Sequence, residues 1–295
     1  MSIQKLIVLC FFIIPLGGYA QWDDVNITVN KVQGNVYMLE GRGGNIGLFV
    51  GEDMTLLIDD QFAPLSEKIK SAVQSVSDNP IHYIVNTHWH GDHTGGNANF
   101  AEMGATIVAH ENVRTRLSTE QKRPFRNPTP AAPEAAWPDI TFDENLQLHL
   151  NGESVQLIHV HNAHTDGDVF VYFPESNVLH MGDCFFKDRF PYVDLGSGGS
   201  PDGAIKAVET ALMITDQNSK IIPGHGALAT RDDLVRFKEM WVTMRSRIKD
   251  AITNGRSLED MKAGMLTEGY DGWGDFFISD EKMIEMLFRS YSEGQ

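Results

Sequence analysis

The segment from Thr87 to His93, which reads Thr-His-Trp-His-Gly-Asp-His, restricts what this chain can fold into more than any other feature. It holds three imidazoles and one carboxylate, the kinds of side chain that zinc favours as ligands. Gly91 and the pair Gly95-Gly96 allow the backbone to turn tightly enough for alternate side chains to converge. A surface cluster of histidines is the alternative interpretation, and residues further along the chain argue against it.

His164, Asp183 and His225 each come at or just after the end of a strand-like run, and each has a glycine nearby. Strand ends are where a scaffold of packed sheets can bring residues from distant parts of the chain into one cleft. These three residues can therefore complete a site with the first cluster. His161 is expected to be exposed or to support a ligand. Structural roles are expected for the remaining histidines, which lie in or beside strands: His82, His110, His149, His159 and His180.

Strand-like and helical patterns alternate along the chain. In the first half, strands are predicted at residues 35–39, 46–50, 55–58, 81–85 and 106–109, with a helix over 64–76. In the second half, Asn151-Gly152 predicts a hairpin between 146–150 and 155–160; strands at 169–173 and 178–181, a helix over 203–214 and a strand at 220–222 follow. This repeated order predicts an α/β (α+β) fold in which two packed sheets carry helices outside, a sandwich of four layers.

Residues 124–138 interrupt this alternation, because five prolines there argue against regular structure. Phe125 and Trp137 lie in this segment, which is either a linker or a lid over a binding site. From Arg231 onward the chain is predicted to be helical to its end, with one helix starting near Ser257 and another near Asp280.

The first twenty residues have the pattern of a secretory signal. Residues 6–16 are apolar, Lys5 is the one charge, and Gly18-Tyr19-Ala20 is a small-residue cleavage site before Gln21. A transmembrane anchor is less favoured, because the apolar run is shorter than the roughly 20 residues that cross a bilayer. We therefore expect a periplasmic or secreted protein without stable membrane insertion. Since Cys10 is removed with the signal, Cys184 stays alone and no internal disulfide is expected.

The formal charge of the chain is −16, and it becomes −17 when the signal leaves with its lysine. So acidic a protein repels phosphate backbones, which argues against nucleic acids as partners. A small molecule is the expected substrate. For most of the acidic residues, solubility of an exported protein is a sufficient explanation.

The pattern His-x-His-x-Asp-His, followed by the later His, Gly-Asp and Gly-His-Gly, resembles that of the metallo-β-lactamase superfamily over roughly residues 32–230. The resemblance implies an αβ/βα sandwich that binds two Zn²⁺, with other divalent metals as alternatives. It implies that His88, His90 and His164 bind the first zinc. Asp92, His93 and His225 would bind the second, and Asp183 would bridge them. The implied domains are a signal over 1–20, the metallo-β-lactamase domain over 21–230, and a helical extension over 231–295 packed on it.

The same resemblance implies a hydrolase. Each metal would lower the pKa of its bound water to about 7, and the hydroxide would attack a carbonyl whose oxygen the first zinc polarises. Asp92 would orient the hydroxide and return a proton to the leaving group. Export favours β-lactams among cyclic amides and esters. The ligand set is more similar to that of lactonases and of thioesterases of the glyoxalase II type. The alternative function is therefore that of a lactonase or of such a thioesterase. A phosphodiesterase is disfavoured by the acidic charge, and a metal-binding or partner-binding module is the non-enzymatic alternative.

Two residues near Asp183 need separate treatment. Cys184 could replace Asp183 as a ligand, as a cysteine does in one β-lactamase subclass. If the segment is extended, adjacent side chains point to opposite faces, so only one of the two can face the metals. Because that subclass lacks a histidine matching His93, we favour Asp183. Lys187 occupies the offset of a lysine that holds a substrate carboxylate in that subclass, so it predicts an anionic substrate. A solvated loop residue is the alternative for Lys187.

Overall fold

A computed structural model describes residues 20–122 and 128–292. Residues 1–19 of the predicted signal, and Pro124 and Phe125 of the proline-rich segment, lie outside the described residues. None of the helices in the described ranges is long and apolar enough to cross a bilayer. The predicted division into domains stays a prediction.

The first sheet has seven strands that lie side by side in the order of the chain. Its first four strands are antiparallel neighbours, whereas the fourth to the seventh run parallel. Parallel neighbours end at the same edge of the sheet, so the loops after the fourth, fifth and sixth strands are brought together. The strands are β1 Thr28–Gln33, β2 Val36–Glu40, β3 Ile46–Val50, β4 Thr55–Ile58, β5 Ile81–Val85, β6 Thr106–His110 and β7 Ile140–Phe142.

The second sheet has six strands, which also lie side by side in the order of the chain. The hairpin at Asn151-Gly152 forms as expected, because both residues adopt positive φ angles, 49° and 78°, which a tight two-residue hairpin turn requires. The strands are β8 Asn145–Leu150, β9 Glu153–His159, β10 Val169–Phe173, β11 Val178–His180, β12 Lys220–Ile222 and β13 Ala229–Thr230.

The two sheets face each other across an apolar core, where the rings of Phe49 and Phe173 lie 5.1 Å apart. A second cluster packs helix α2 on the outer face of the first sheet, and a third packs α6, α7 and α9 on the second. The predicted four-layer α/β sandwich is thereby confirmed. The helices are α1 Ala20–Asp23, α2 Ser66–Gln74, α3 Gly91–Thr94, α4 Asn97–Glu102, α5 Glu111–Leu117, α6 Pro201–Ile214, α7 Arg231–Thr253, α8 Leu258–Lys262 and α9 Asp280–Ser292.

Two local predictions need correction. The C-terminal part is not helical throughout, because residues 263–279 form turns between α8 and α9 in a stretch rich in glycine. The proline-rich segment is not wholly irregular either. Residues Glu134–Ala136 form a 3₁₀ turn directly after Pro133, whose fixed φ suits the entry to such a turn.

Candidate metal centre

The seven predicted ligands come together at the edge where the strands of both sheets end. In the described ranges they form two groups, and within each group the ligand atoms lie within 4.8 Å of one another. The first group contains His88, His90, His164 and Asp183, and the second contains Asp92, His93 and His225. His88 to His93 follow β5, Asp183 follows β11 and His225 follows β12.

The three histidines of the first group are neutral ligands. Burial lowers the pKa of His88, His90 and His164, because a buried imidazolium loses its hydration. The neighbouring imidazoles lower the pKa of His88 further. Neutral imidazole has a free lone pair, which is the form that binds a metal.

Hydrogen bonds determine which nitrogen of each ring in this group is free. His164 Nδ1 lies 2.7 Å from the carbonyl of Tyr192, and His90 Nε2 lies 2.9 Å from Asp194 Oδ2. Both nitrogens must therefore donate. The remaining nitrogens, His164 Nε2 and His90 Nδ1, face each other at 2.9 Å. Two lone pairs at this separation repel each other unless a cation lies beside them.

Asp59 supports one histidine of each group, His93 directly and His88 through Thr87. Its Oδ2 accepts hydrogen bonds from His93 Nδ1 and from the hydroxyl of Thr87, each at 2.7 Å, and its Oδ1 accepts from the backbone N–H of Thr87 at 2.7 Å. The oxygen of the Thr87 hydroxyl in turn lies 3.0 Å from His88 Nδ1 and accepts a hydrogen bond from it. One carboxylate thus leaves the Nε2 atoms of His88 and His93 free to bind a metal.

Asp183 lies between the groups. Its Oδ1 is 3.1 Å from His93 Nε2 and 3.4 Å from His225 Nε2, whereas its Oδ2 is 3.6 Å from His164 Nε2. Burial by itself would raise the pKa of Asp183. The positive charges of His93 and His225 outweigh this effect and hold the pKa well below its usual range. This position matches that of a carboxylate shared by two ions.

The second group is richer in negative charge. Burial acts against the charged imidazolium, but Asp183 and Asp92 together raise the pKa of His225 to about 9, and Asp183 raises that of His93 as well. Burial raises the pKa of Asp92, but His93 and His225 lower it more strongly. The result is a pKa of about 2, so Asp92 stays ionised. The carboxylates therefore attract positive charge to the centre of the group.

Buried polar atoms without a partner show that a metal fits here. Within the described residues, His88 Nε2, His93 Nε2 and Asp183 Oδ1 are fully buried and make no hydrogen bond of good geometry, although the last two atoms lie 3.1 Å apart. Leaving such atoms unpaired costs roughly 1–3 kcal/mol each. All three point into the cluster of ligands, and a divalent cation there would satisfy them together. Imidazole nitrogen and carboxylate oxygen are the donors that zinc prefers.

A turn determines which of the adjacent residues Asp183 and Cys184 faces the ligand cluster. The segment Gly182–Cys184 is a 3₁₀ turn and not an extended strand. The turn directs Asp183 into the ligand cluster, while Cys184 is buried in the apolar cluster under α6 and α7. Burial raises the pKa of the Cys184 thiol well above its usual value. A neutral thiol in this position is a packing residue.

Lys187 is placed differently from the prediction. Its Nζ lies 3.2 Å from Asp233 Oδ2 and 3.2 Å from the carbonyl of Leu228, so its charge is neutralised at the start of α7. It is not among the residues that line the cleft. Trp137 also lies elsewhere, where its indole N–H donates to the carbonyl of Ala132. His161 is exposed beside Glu144, as expected.

The cleft above the ligands is open to solvent and has aromatic and cationic walls. Asp92, Asp183, His90 and His225 form part of its surface. Around them lie the side chains of Arg42, Phe62, Arg189, Tyr192, Phe276 and Phe277. The cleft can therefore admit a small organic molecule to the ligand cluster.

Sequence reasoning missed several of these residues. Asp59 directly follows β4, and the strand-end rule that found His164 and Asp183 would have found it too. Its backbone has a φ of 64°, a conformation that aspartate tolerates better than most residues. Asp194, Arg189 and Phe276 lie in irregular segments without any periodic signal.

Comparison with known proteins agrees with this geometry. The family model described as the metallo-beta-lactamase superfamily matches residues 30–225. The chain is 29% identical over 177 residues to the 2,4-dinitroanisole O-demethylase subunit alpha of Nocardioides sp. (strain JS1661), a match that covers 58% of this chain and only 50% of that protein. It is 25% identical over 241 residues to a metallo-beta-lactamase type 2 of Bacteroides fragilis, covering 76% of this chain and 90% of that one.

Among solved structures, a metallo-beta-lactamase from Pontibacter korlensis superposes with a TM-score of 0.61 at 17% identity, covering 73% of this chain and 99% of that one. This similarity concerns the fold, which is the same sandwich. The family model, in contrast, spans every one of the seven ligand positions. The chain therefore belongs to the metallo-β-lactamase superfamily, and its histidines and aspartates form a cluster that could hold metal ions.

Proposed function

We propose that this protein hydrolyses the carbonyl bond of a small cyclic amide or ester, with β-lactams as the leading candidate, and that two Zn²⁺ ions occupy the site. The observation that supports this most directly is the pair of ligand groups, joined by Asp183, at the floor of an open cleft. His88, His90 and His164 would hold one ion, and Asp92, His93 and His225 the other. When bound, such ions lower the pKa of a water molecule and polarise a carbonyl.

Asp92 is the group suited to proton transfer. Its side chain is 29% exposed and lines the cleft, whereas that of Asp183 is only 6% exposed. Because its pKa is about 2, Asp92 is ionised at neutral pH and can accept a hydrogen bond from an attacking water. It can take up the proton that the attacking water loses and then pass that proton to the leaving group.

Export supports β-lactams over glutathione thioesters, since the former act outside the cytoplasm and the latter are largely cytosolic. This support depends on the signal over residues 1–20, which we propose is cleaved between Ala20 and Gln21. The intact mass of the exported protein tests the cleavage: a mass that includes Lys5 would contradict it. The similarity to the relative from Bacteroides fragilis also favours a β-lactam.

Lactones and thioesters are the alternative substrates, because a histidine, His93, directly follows Asp92 as in glyoxalase II. The substrate test is an assay of the zinc-loaded protein against nitrocefin, benzylpenicillin, an acyl-homoserine lactone and a glutathione thioester. We expect turnover of the two β-lactams, and loss of that turnover in Asp183→Asn, which removes the shared ligand. Turnover of the thioester alone would show that the β-lactam proposal is wrong.

A further inference from the structure

We propose that Arg189 binds the anionic group of the substrate and that Phe276 and Phe277 form an apolar wall beside it. The cleft then takes a carboxylate that carries an aromatic or similarly apolar group. This inference deepens the proposed function by naming the substrate class, and it rests on that function in assuming that the ligand reaches the metal centre.

The charge of Arg189 is the one left available in its segment. Three charged residues follow each other directly, but Lys187 is paired with Asp233, and Asp188 is paired with Arg236. No carboxylate of the described ranges lies within ion-pair distance of Arg189, which is half-buried on the wall of the cleft. A half-buried guanidinium without a counter-ion is suited to bind a carboxylate with two parallel hydrogen bonds.

Phe276 holds this guanidinium in place. The Cζ atom of Arg189 lies 4.0 Å from the centre of the Phe276 ring, so the guanidinium lies close over the aromatic face. The same ring lies 5.8 Å from the ring of His225. Arg189 is therefore fixed next to the second ligand group, where it can hold one end of a molecule whose carbonyl lies over the metals.

Phe276 and Phe277 are unusually exposed for large apolar residues, at 50% and 47%. Their segment is nevertheless anchored on both sides. Before them, the carbonyl of Trp273 accepts a hydrogen bond from the Phe190 N–H at 3.0 Å; after them, Ile278 is only 5% exposed. An anchored segment that leaves two adjacent aromatic rings open toward a cleft provides a surface that an apolar ligand can cover.

The other cation of the cleft is a weaker candidate. Arg42 donates to the carbonyl of Gln21 at 3.0 Å and lies over the ring of Trp22, so its donors are partly used. Glu40 and Asp275 also line the cleft and repel an anion. An anionic group is therefore expected beside Arg189 and not elsewhere on the wall.

The test is a binding measurement that needs no hydrolysis. Isothermal titration calorimetry of the zinc-loaded full chain compares 4-phenylbutyrate with its neutral amide, 4-phenylbutanamide. We expect the protein to prefer the acid, and Arg189→Met to weaken acid binding about tenfold while the amide is unaffected. Arg189→Lys keeps the charge but loses the planar guanidinium. Its affinity for the acid should lie between those of the wild type and Arg189→Met. Phe276→Ala should weaken both ligands, because the wall serves the apolar part.

Lys206→Met is the matched control, since it removes one exposed positive charge on α6, away from the cleft, and it should leave both affinities unchanged. Melting curves of each variant establish that it is folded. The inference is wrong if the wild type does not prefer the acid, or if Arg189→Met keeps that preference. The inference stands if the acid preference depends on Arg189 while no β-lactam is hydrolysed; that result would contradict only the proposed function.

Discussion

Asp59 is the residue outside the ligand set on which the geometry of the metal centre depends most. Its two carboxylate oxygens accept three hydrogen bonds, from Thr87 and His93, and through the Thr87 hydroxyl it also orients His88. It thereby sets the free nitrogen of one ligand in each group. Partners of this kind determine the tautomer and the basicity of a metal-bound histidine.

We predict that Asp59→Asn lowers the affinity for zinc about 10- to 100-fold, as is typical when such a partner of a ligand is changed. An amide has one acceptor oxygen, which cannot serve the three donors that the carboxylate serves. Competition with a chromophoric chelator measures the affinity. Asp78→Asn is the matched control, because Asp78 is exposed. Equal zinc affinities of Asp59→Asn and the wild type would contradict the role given to Asp59.

For single residues, the sequence predicted the site well where the residue type is uncommon and a strand end or a glycine indicates its position. Histidines and aspartates beside glycine at strand ends are such residues, and the structure brings all seven of them together. Lys187 was misplaced because an offset from Asp183 says nothing about Asp233, which lies 46 residues later and takes its charge. Pairing between distant residues depends on the packing of α7, which local patterns do not encode.

Helix α7 is the element that joins the second sheet to the C-terminal part. It starts with a capping box, in which the Thr230 side chain accepts from the Asp233 N–H and the Asp233 carboxylate accepts from the Thr230 N–H. Its apolar face buries Phe237 and Trp241 completely against the second sheet and its neighbours. The cap therefore supports a helix that covers a large part of the core.

Removal of the cap by Thr230→Ala should lower the free energy of unfolding by about 1 kcal/mol, the usual cost of losing a threonine at this position. Urea denaturation at saturating zinc measures it. Thr253→Ala, at the exposed end of the same helix, is the control, and it should stay within about 0.5 kcal/mol of the wild type. Similar destabilisation by both substitutions would show that the cap has no special role.

Among the elements, those with a strong local signal were predicted well. The hairpin at Asn151-Gly152 formed because its turn needs residues that accept positive φ. Strand β1 at Thr28–Gln33 was missed, since four of its six side chains are polar and three of these are exposed at the edge of the sheet. Continuous helix after α7 was wrong because residues 263–279 are held by turns and by packing of Trp273 against Phe237, not by helical periodicity.

For the whole molecule, the metal centre connects the two sheets. Asp59 and His93 come from the first sheet and its loops, whereas Asp183 and His225 come from the second. The backbone supports the same junction, because the Asn45 N–H donates to the carbonyl of Gly224 at 2.7 Å. Ions bound to both halves should therefore stabilise the complete sandwich.

We predict that removal of metal by a chelator lowers the melting temperature by several degrees. A ligand at 100 times its Kd stabilises the folded state by about 2.7 kcal/mol. Differential scanning calorimetry with and without chelator measures the change, and Asp183→Asn should respond much less because it has lost the shared ligand. An equal melting temperature for the wild type in both conditions would contradict this link between the metals and the fold.

The central claim is that His88, His90, Asp92, His93, His164, Asp183 and His225 hold two ions. The most direct test is a crystal structure of the zinc-loaded protein with anomalous data collected at the zinc edge. Our account predicts two anomalous peaks per chain, one in each ligand group, with Asp183 in contact with both. A single peak, or peaks outside these two groups, would contradict it.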